Sequence, residues 1–166
     1  MTKVSVFLAT GCGVGTVKYF PGTIGTLWGW ASFFILDSLM GDFELVIFIG
    51  ISFFIGVFVS SIAEKEIGKD DPSEIVIDEI VAIWFVLLFV PSSLENSLII
   101  YSVEFTDFFY QLAAFIMFRF FDIIKPWPVN LVDSKIKGGF GIMFDDVVAG
   151  FQTLIVLSIF FKSGVL

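Results

Sequence analysis

Five long apolar runs, at about Thr23 to Met40, Glu44 to Ala63, Ile75 to Val90, Glu104 to Phe121 and Asp146 to Phe161, constrain this chain more than any other feature. They are continuous and do not alternate with period two, which argues against a β-barrel and for helices. A helix that crosses a bilayer needs about 17 to 25 mostly apolar residues, so the third and fifth runs are short. Each of these two is expected to tilt, to extend into the interface, or to be re-entrant. Composition supports lipid as the solvent: 57% of residues are hydrophobic and 16% charged, against roughly 45 to 50% and 25% in globular chains. The expected fold is all-α, a polytopic membrane helical bundle of about five spanning or partly spanning helices, with residues 1–166 forming one domain. The N-terminal MTKVSVFLATGCG carries no convincing cleavage site and reads as mature protein, an interfacial segment.

If all five runs span, the connections alternate sides. Residues 1 to 22, 64 to 79 and 119 to 145 then share one face, and 41 to 44, 91 to 104 and the C-terminus share the other. Lys3, Lys18, Lys65, Lys69, Arg119, Lys125, Lys135 and Lys137 lie on the first face and Lys162 on the second. That bias predicts a cytoplasmic N-terminus and first face. The same topology gathers Gly11 to Thr26, Asp71 to Glu79 and Arg119 to Asp146, the segments richest in Gly, Pro and paired charge, on the cytoplasmic side. They can therefore build one site.

Elimination narrows the chemistry. The chain has no His and a single Cys, Cys12, which removes imidazole bases, His-ligated zinc, Ser-His-Asp triads and an intramolecular disulfide. Carboxylate, lysine, arginine and hydroxyl chemistry remains. Cys12 is followed six residues on by Lys18, so the cysteine-phosphatase spacing to an arginine is missing, as is a DxDxT run.

Arg119 to Asp146 carries four aspartates and four basic residues between apolar segments. Asp78-Glu79 and Asp145-Asp146 are acid pairs placed at expected helix starts, where one acid would suffice for capping and dipole compensation. Two such pairs brought together would repel, since like charges about 4 Å apart cost on the order of 4 kcal/mol at an effective dielectric near 20. Either internal ion pairs or a hard cation such as Mg2+, Mn2+ or Ca2+ would relieve this. Arg119, Asp122 and Lys125 recur at intervals of three, so Arg119 can pair with Asp122 along the helix. Pro126 disfavours helix at Lys125, and Trp127 suits the headgroup layer. Pro21-Gly22-Thr23 opens the first run; Thr23 can cap that helix, whose free N–H groups can also bind phosphate. Gly138-Gly139-Phe140-Gly141 reads as a turn before the fifth run.

Together, LATGCGVG and PGTIGT (Leu8 to Thr26), DPSEIVIDE (Asp71 to Glu79) and FRFFDIIKPWPVNLVDSKIKGGFGIMFDD (Phe118 to Asp146) resemble the phosphatidylglycerophosphatase A family of bacterial membrane phosphatases. Lys18 stands where proline is expected in that family. The resemblance implies Mg2+-dependent removal of the terminal phosphate of phosphatidylglycerophosphate, an anionic phospholipid, at the cytoplasmic face of the inner membrane. It implies Asp78, Glu79, Asp145 and Asp146 as ligands of one or two Mg2+ ions and Arg119, Lys125 and Thr23 as phosphate contacts. Asp122 would orient Arg119 or join the metal shell, with Asp71 and Asp133 as further candidates. The nucleophile is left open between water and a carboxylate.

The alternatives are an ion-coupled transporter or channel, which predicts charge at mid-span, and a structural subunit, which would not need three charged motifs on one face. No nucleic-acid partner is expected.

Overall fold

The computed structural model describes residues 2–90 and 103–163, and every element among them is helical. In chain order these are α1 (Thr2–Ala9), a 3-10 turn (Val14–Thr16), α2 (Pro21–Leu39), α3 (Asp42–Ile67), α4 (Ile77–Leu87), α5 (Val103–Ile124), α6 (Val129–Lys135) and α7 (Gly138–Ser163). The five apolar runs thus become α2, α3, α4, α5 and α7, and the N-terminal segment folds as α1 along α3. Of the far-side segments expected from the sequence, residues 91–102 and 164–166 lie outside the described residues.

Helix α4 explains the short third run. Its Ile80, Val81, Ala82, Ile83, Val86 and Leu87 are all buried, so it is apolar on every side because protein surrounds it. Eleven residues rise only about 16 Å, half of a bilayer core. Around it stand α2, α3, α5 and α7, and the main core joins Phe33, Ile83, Val86, Leu87, Phe118 and Leu157. Among the described residues two helices, α3 and α7, are long and apolar enough to cross a membrane. Their outward side chains agree with an apolar solvent, with Phe54, Phe58, Ile155 and Ile159 each more than half exposed.

Small residues set how close the helices come. A Cβ at Gly25 would lie 2.6 Å from Val76 Cβ, and one at Gly29 2.5 Å from Ile83 Cγ2. Gly25 and Gly29, four apart, therefore seat α2 directly on the start and middle of α4. The indole Nε1 of Trp84 donates to Gly29 O (2.9 Å) and Ser32 Oγ (3.0 Å), and Trp30 Nε1 donates to Gln111 Oε1 (2.8 Å), tying α2 to α4 and α5.

The fifth run is corrected in its bounds. Helix α7 begins at Gly138, not at Asp146, and its Gly139 packs where no side chain fits: its Cβ would lie 2.1 Å from Val57 O and 2.3 Å from Ser61 Oγ on α3. Its amide donates to Ser61 Oγ at 3.2 Å. The glycine stretch expected to turn the chain is thus the first turn of a helix held against α3.

Candidate active site

The starts of α2 and α4, the end of α5 and the third turn of α7 meet at one end of the bundle. Pro21 at the first position opens α2 after Phe20, whose φ of 53° turns the chain sharply into the helix. Asp78 and Glu79 sit in the first turn of α4. Asp145 and Asp146 are not at a helix start, as the sequence suggested, but two turns into α7. The helix dipole acts within the first turn, so capping gives no account of this second pair.

Asp78, Glu79 and Asp146 converge: each offers a carboxylate oxygen, and these atoms lie within 4.8 Å of one another. Asp78 and Asp146 are 9% and 3% exposed. Asp78 Oδ1, Glu79 Oε2 and Asp146 Oδ2 are buried with no hydrogen-bond partner. Buried unpaired polar atoms are costly, more so when charged. Three carboxylates that each offer an oxygen to one small volume are a donor set of hard ligands that suits Mg2+.

Arg119, one turn before the end of α5, borders this trio. Its Nη1 pairs with Asp122 along the helix, lies 3.5 Å from Glu79 Oε1 and donates to Thr26 Oγ1 at 3.3 Å. Its Nε is buried without a partner. It is Gly22 and Thr26 of α2 that meet this cluster: a Cβ at Gly22 would lie 2.1 Å from Glu79 Oε1 and 3.1 Å from Arg119 Nη2. Thr23, between them, is half-buried in the first turn of α2. Neither Gly22 nor Thr26 was singled out as a contact from the sequence. The signal lay in PGTIGT, where the two stand four apart and so share a helix face.

Asp145 turns the other way. Lys125 leaves α5 with a φ of 46°, in the left-handed region, directly before Pro126, and its Nζ bonds Asp145 Oδ2 and Asp133 Oδ1, each at 2.7 Å. Burial alone would lower the Lys125 ammonium, but these two carboxylates outweigh burial and raise it above its ordinary value. Asp71 lies close enough for Lys125 and Asp133 to act on it, and burial pushes its carboxyl up. Its backbone N–H donates to Glu64 Oε1 at 3.3 Å. Glu64, Asp71, Asp133, Lys137 and Asp145 line a narrow cleft of about 30 Å³. The expected residues thus form two adjoining groups, with Asp78, Glu79, Asp146, Arg119 and Asp122 in one, and Lys125, Asp133, Asp145 and Asp71 in the other.

Fold and site define a class: an all-helical, apolar-surfaced protein whose polar groups converge at one end as a buried carboxylate cluster beside one guanidinium and one ammonium. The family model for phosphatidylglycerophosphatase A matches residues 7–161, and the chain belongs to that family of phosphatases. A phosphatidylglycerophosphatase A from Haemophilus influenzae is 38% identical over 150 residues, 90% of this chain and 84% of that protein. Its namesake from Escherichia coli is 34% identical over 144 residues, 86% of this chain and 75% of that protein. A Bacteroides thetaiotaomicron protein named a putative phosphatidylinositol-3-phosphatase is 34% identical over 158 residues, 93% of this chain and 91% of that protein. No solved structure matches.

Proposed function

We propose that this phosphatase is a multi-pass protein of the bacterial inner membrane that hydrolyses phosphatidylglycerophosphate to phosphatidylglycerol and phosphate at the cytoplasmic face, with Mg2+ as cofactor. Family membership and the two relatives named phosphatidylglycerophosphatase A support this substrate. The observation that carries the site assignment is the set of partnerless buried oxygens on Asp78, Glu79 and Asp146. The basic-residue asymmetry of the sequence supports the cytoplasmic orientation.

Asp78, Glu79 and Asp146 would hold Mg2+, with Asp145 beside them. Bound Mg2+ would neutralise phosphate charge and polarise the ester. Arg119 binds phosphate oxygens: with Nη1 committed to Asp122, Glu79 and Thr26, its Nε edge is the one left to offer. Asp122 orients the guanidinium. Lys125 spends two of its three donors on Asp133 and Asp145, which leaves one for a phosphate oxygen. In the hydrolysis the ester P–O bond breaks, water oxygen joins phosphorus, and the released alcohol takes a proton. No observation favours an ion-coupled transporter or channel.

The test is phosphate release by the purified protein from phosphatidylglycerophosphate in mixed micelles, with Mg2+ or with EDTA, and with phosphatidylinositol 3-phosphate as a competing substrate. Mg2+-dependent release that D146A abolishes is expected. Release insensitive to EDTA sinks the metal assignment, and preference for the inositol lipid sinks the substrate.

A further inference from the structure

Arg119 is the single arginine of the chain, beside eight lysines. Its task therefore depends on which edge of one planar fork faces the ligand. Asp122 and Glu79 both draw Nη1 but belong to α5 itself and to α4. The third acceptor comes from α2. Thr26 is fully buried, and its hydroxyl donates to Gly22 O at 2.8 Å while accepting from Arg119 Nη1 at 3.3 Å. A hydroxyl has one proton. Because that proton points at Gly22 O, only lone pairs face Arg119, and Thr26 acts on it as an acceptor alone. It adds no charge to a pocket already crowded with carboxylates. Gly22 closes the same corner from the other side, leaving no room for a Cβ between Glu79 Oε1 and Arg119 Nη2.

We infer that Thr26, anchored on the Gly22 carbonyl, is a positioning residue that holds Arg119 Nη1 so that the Nε–Nη2 edge is presented to the phosphate of the substrate. The identity of the ligand rests on the phosphatase reading; the positioning itself rests on the hydroxyl geometry.

A single arginine makes the test direct, since arginine labelled with 15N gives one Nε resonance. Thr26→Val removes the hydroxyl at nearly constant volume, Thr26→Ser keeps it, and Thr26→Ala is a second hydroxyl-free variant should the valine protein not fold. The expected result is a loss of about 10- to 100-fold in kcat in T26V, the scale of an outer-shell partner, with T26S restored to within about threefold of wild type. In T26V, R119K should cost little more than T26V alone. Independently of turnover, titration with inorganic phosphate should shift the Nε resonance in wild type and T26S, and less in T26V. Equal losses in T26V and T26S would mean packing and overturn the inference, as would unchanged kcat and Nε response in T26V. If wild type releases no phosphate from lipid, the phosphatase reading fails, yet the Nε titration still decides the role of Thr26. An Nε resonance that ignores phosphate in wild type overturns it.

Discussion

Lys125 Nζ holds Asp145 Oδ2 at 2.7 Å, while the next residue, Asp146, brings a carboxylate oxygen within 4.8 Å of carboxylate oxygens of Asp78 and Glu79. Neighbours on a helix point about 100° apart, so one acid pair serves two groups. Asp145 has its cationic partner within the protein, whereas Asp146 keeps one buried oxygen without a hydrogen-bond partner.

The first prediction follows from that division. D146N should lower Mg2+-dependent phosphate release on the order of 100-fold or more. It should leave the protein at least as thermostable as wild type in EDTA, because one of three mutually repelling carboxylates is gone. Mg2+ should raise the melting temperature of wild type, since a ligand bound only by the folded state stabilises it, but not that of D146N. Thermal melts in detergent with and without Mg2+ check this; equal Mg2+ responses would remove the trio as the binding site.

Lys125 supplies the second. In K125M, Asp145, only 7% exposed at its side chain, loses its cation. The cost should be about 1 to 3 kcal/mol, between the values for exposed and fully buried pairs because Lys125 keeps partial solvent access. K125M/D145N should recover part of it. The folded-state ammonium is raised, so its stabilisation is fully present below the ordinary lysine value and lost only as pH rises through the raised one. The melting difference between wild type and K125M should therefore not shrink from about pH 7.5 to 9.5. A difference that shrinks across this window would place the lysine elsewhere.

Much of this was legible in the sequence. The apolar runs located five helices, and the acid pairs with Arg119, Asp122 and Lys125 located the polar end. Helical phase was not legible. Runs that are apolar all round give no face, so the spacing of Gly22 and Thr26 marked a shared face without saying that Arg119 would meet it, and adjacency alone did not say which of Asp145 and Asp146 would turn to Lys125. Phase is set by tertiary contact, through Gly25 and Gly29 of α2 packed against α4 and Gly139 of α7 packed against α3. The start of α7 was missed for the same reason, since a glycine cluster looks like a turn until α3 packs against it.

Gly22 gives a third prediction with its own control. A methyl at Gly22 would meet Glu79 Oε1 at 2.1 Å and crowd Arg119, whereas one at Gly50 on α3 meets nothing within 4 Å. G22A should lower kcat by about tenfold or more by displacing the carboxylate and guanidinium. G50A should leave activity unchanged and gain up to about 1 kcal/mol from the lower entropy of alanine. Similar kinetics for the two variants would show that the α2 start is not close to the reacting groups.

Gly139 tests whether the α3 contact places the acids of α7. Its Cβ would strike Val57 O, Ser61 Oγ and Ser61 N, two of them backbone atoms that no rotamer change can move. G139A must therefore push α7 away from α3, at about 1 to 3 kcal/mol for overpacking, despite the better helix propensity of alanine. Since Asp145 and Asp146 ride on the same helix less than two turns on, the shift should carry them out of register with Asp78 and Lys125. Activity should then fall further than stability alone explains, measured well below the melting temperature, and the Mg2+-induced rise in melting temperature should shrink with it. A variant that is less stable but keeps full activity and the full Mg2+ response would show that α7 can pivot at Gly139 without moving the acids.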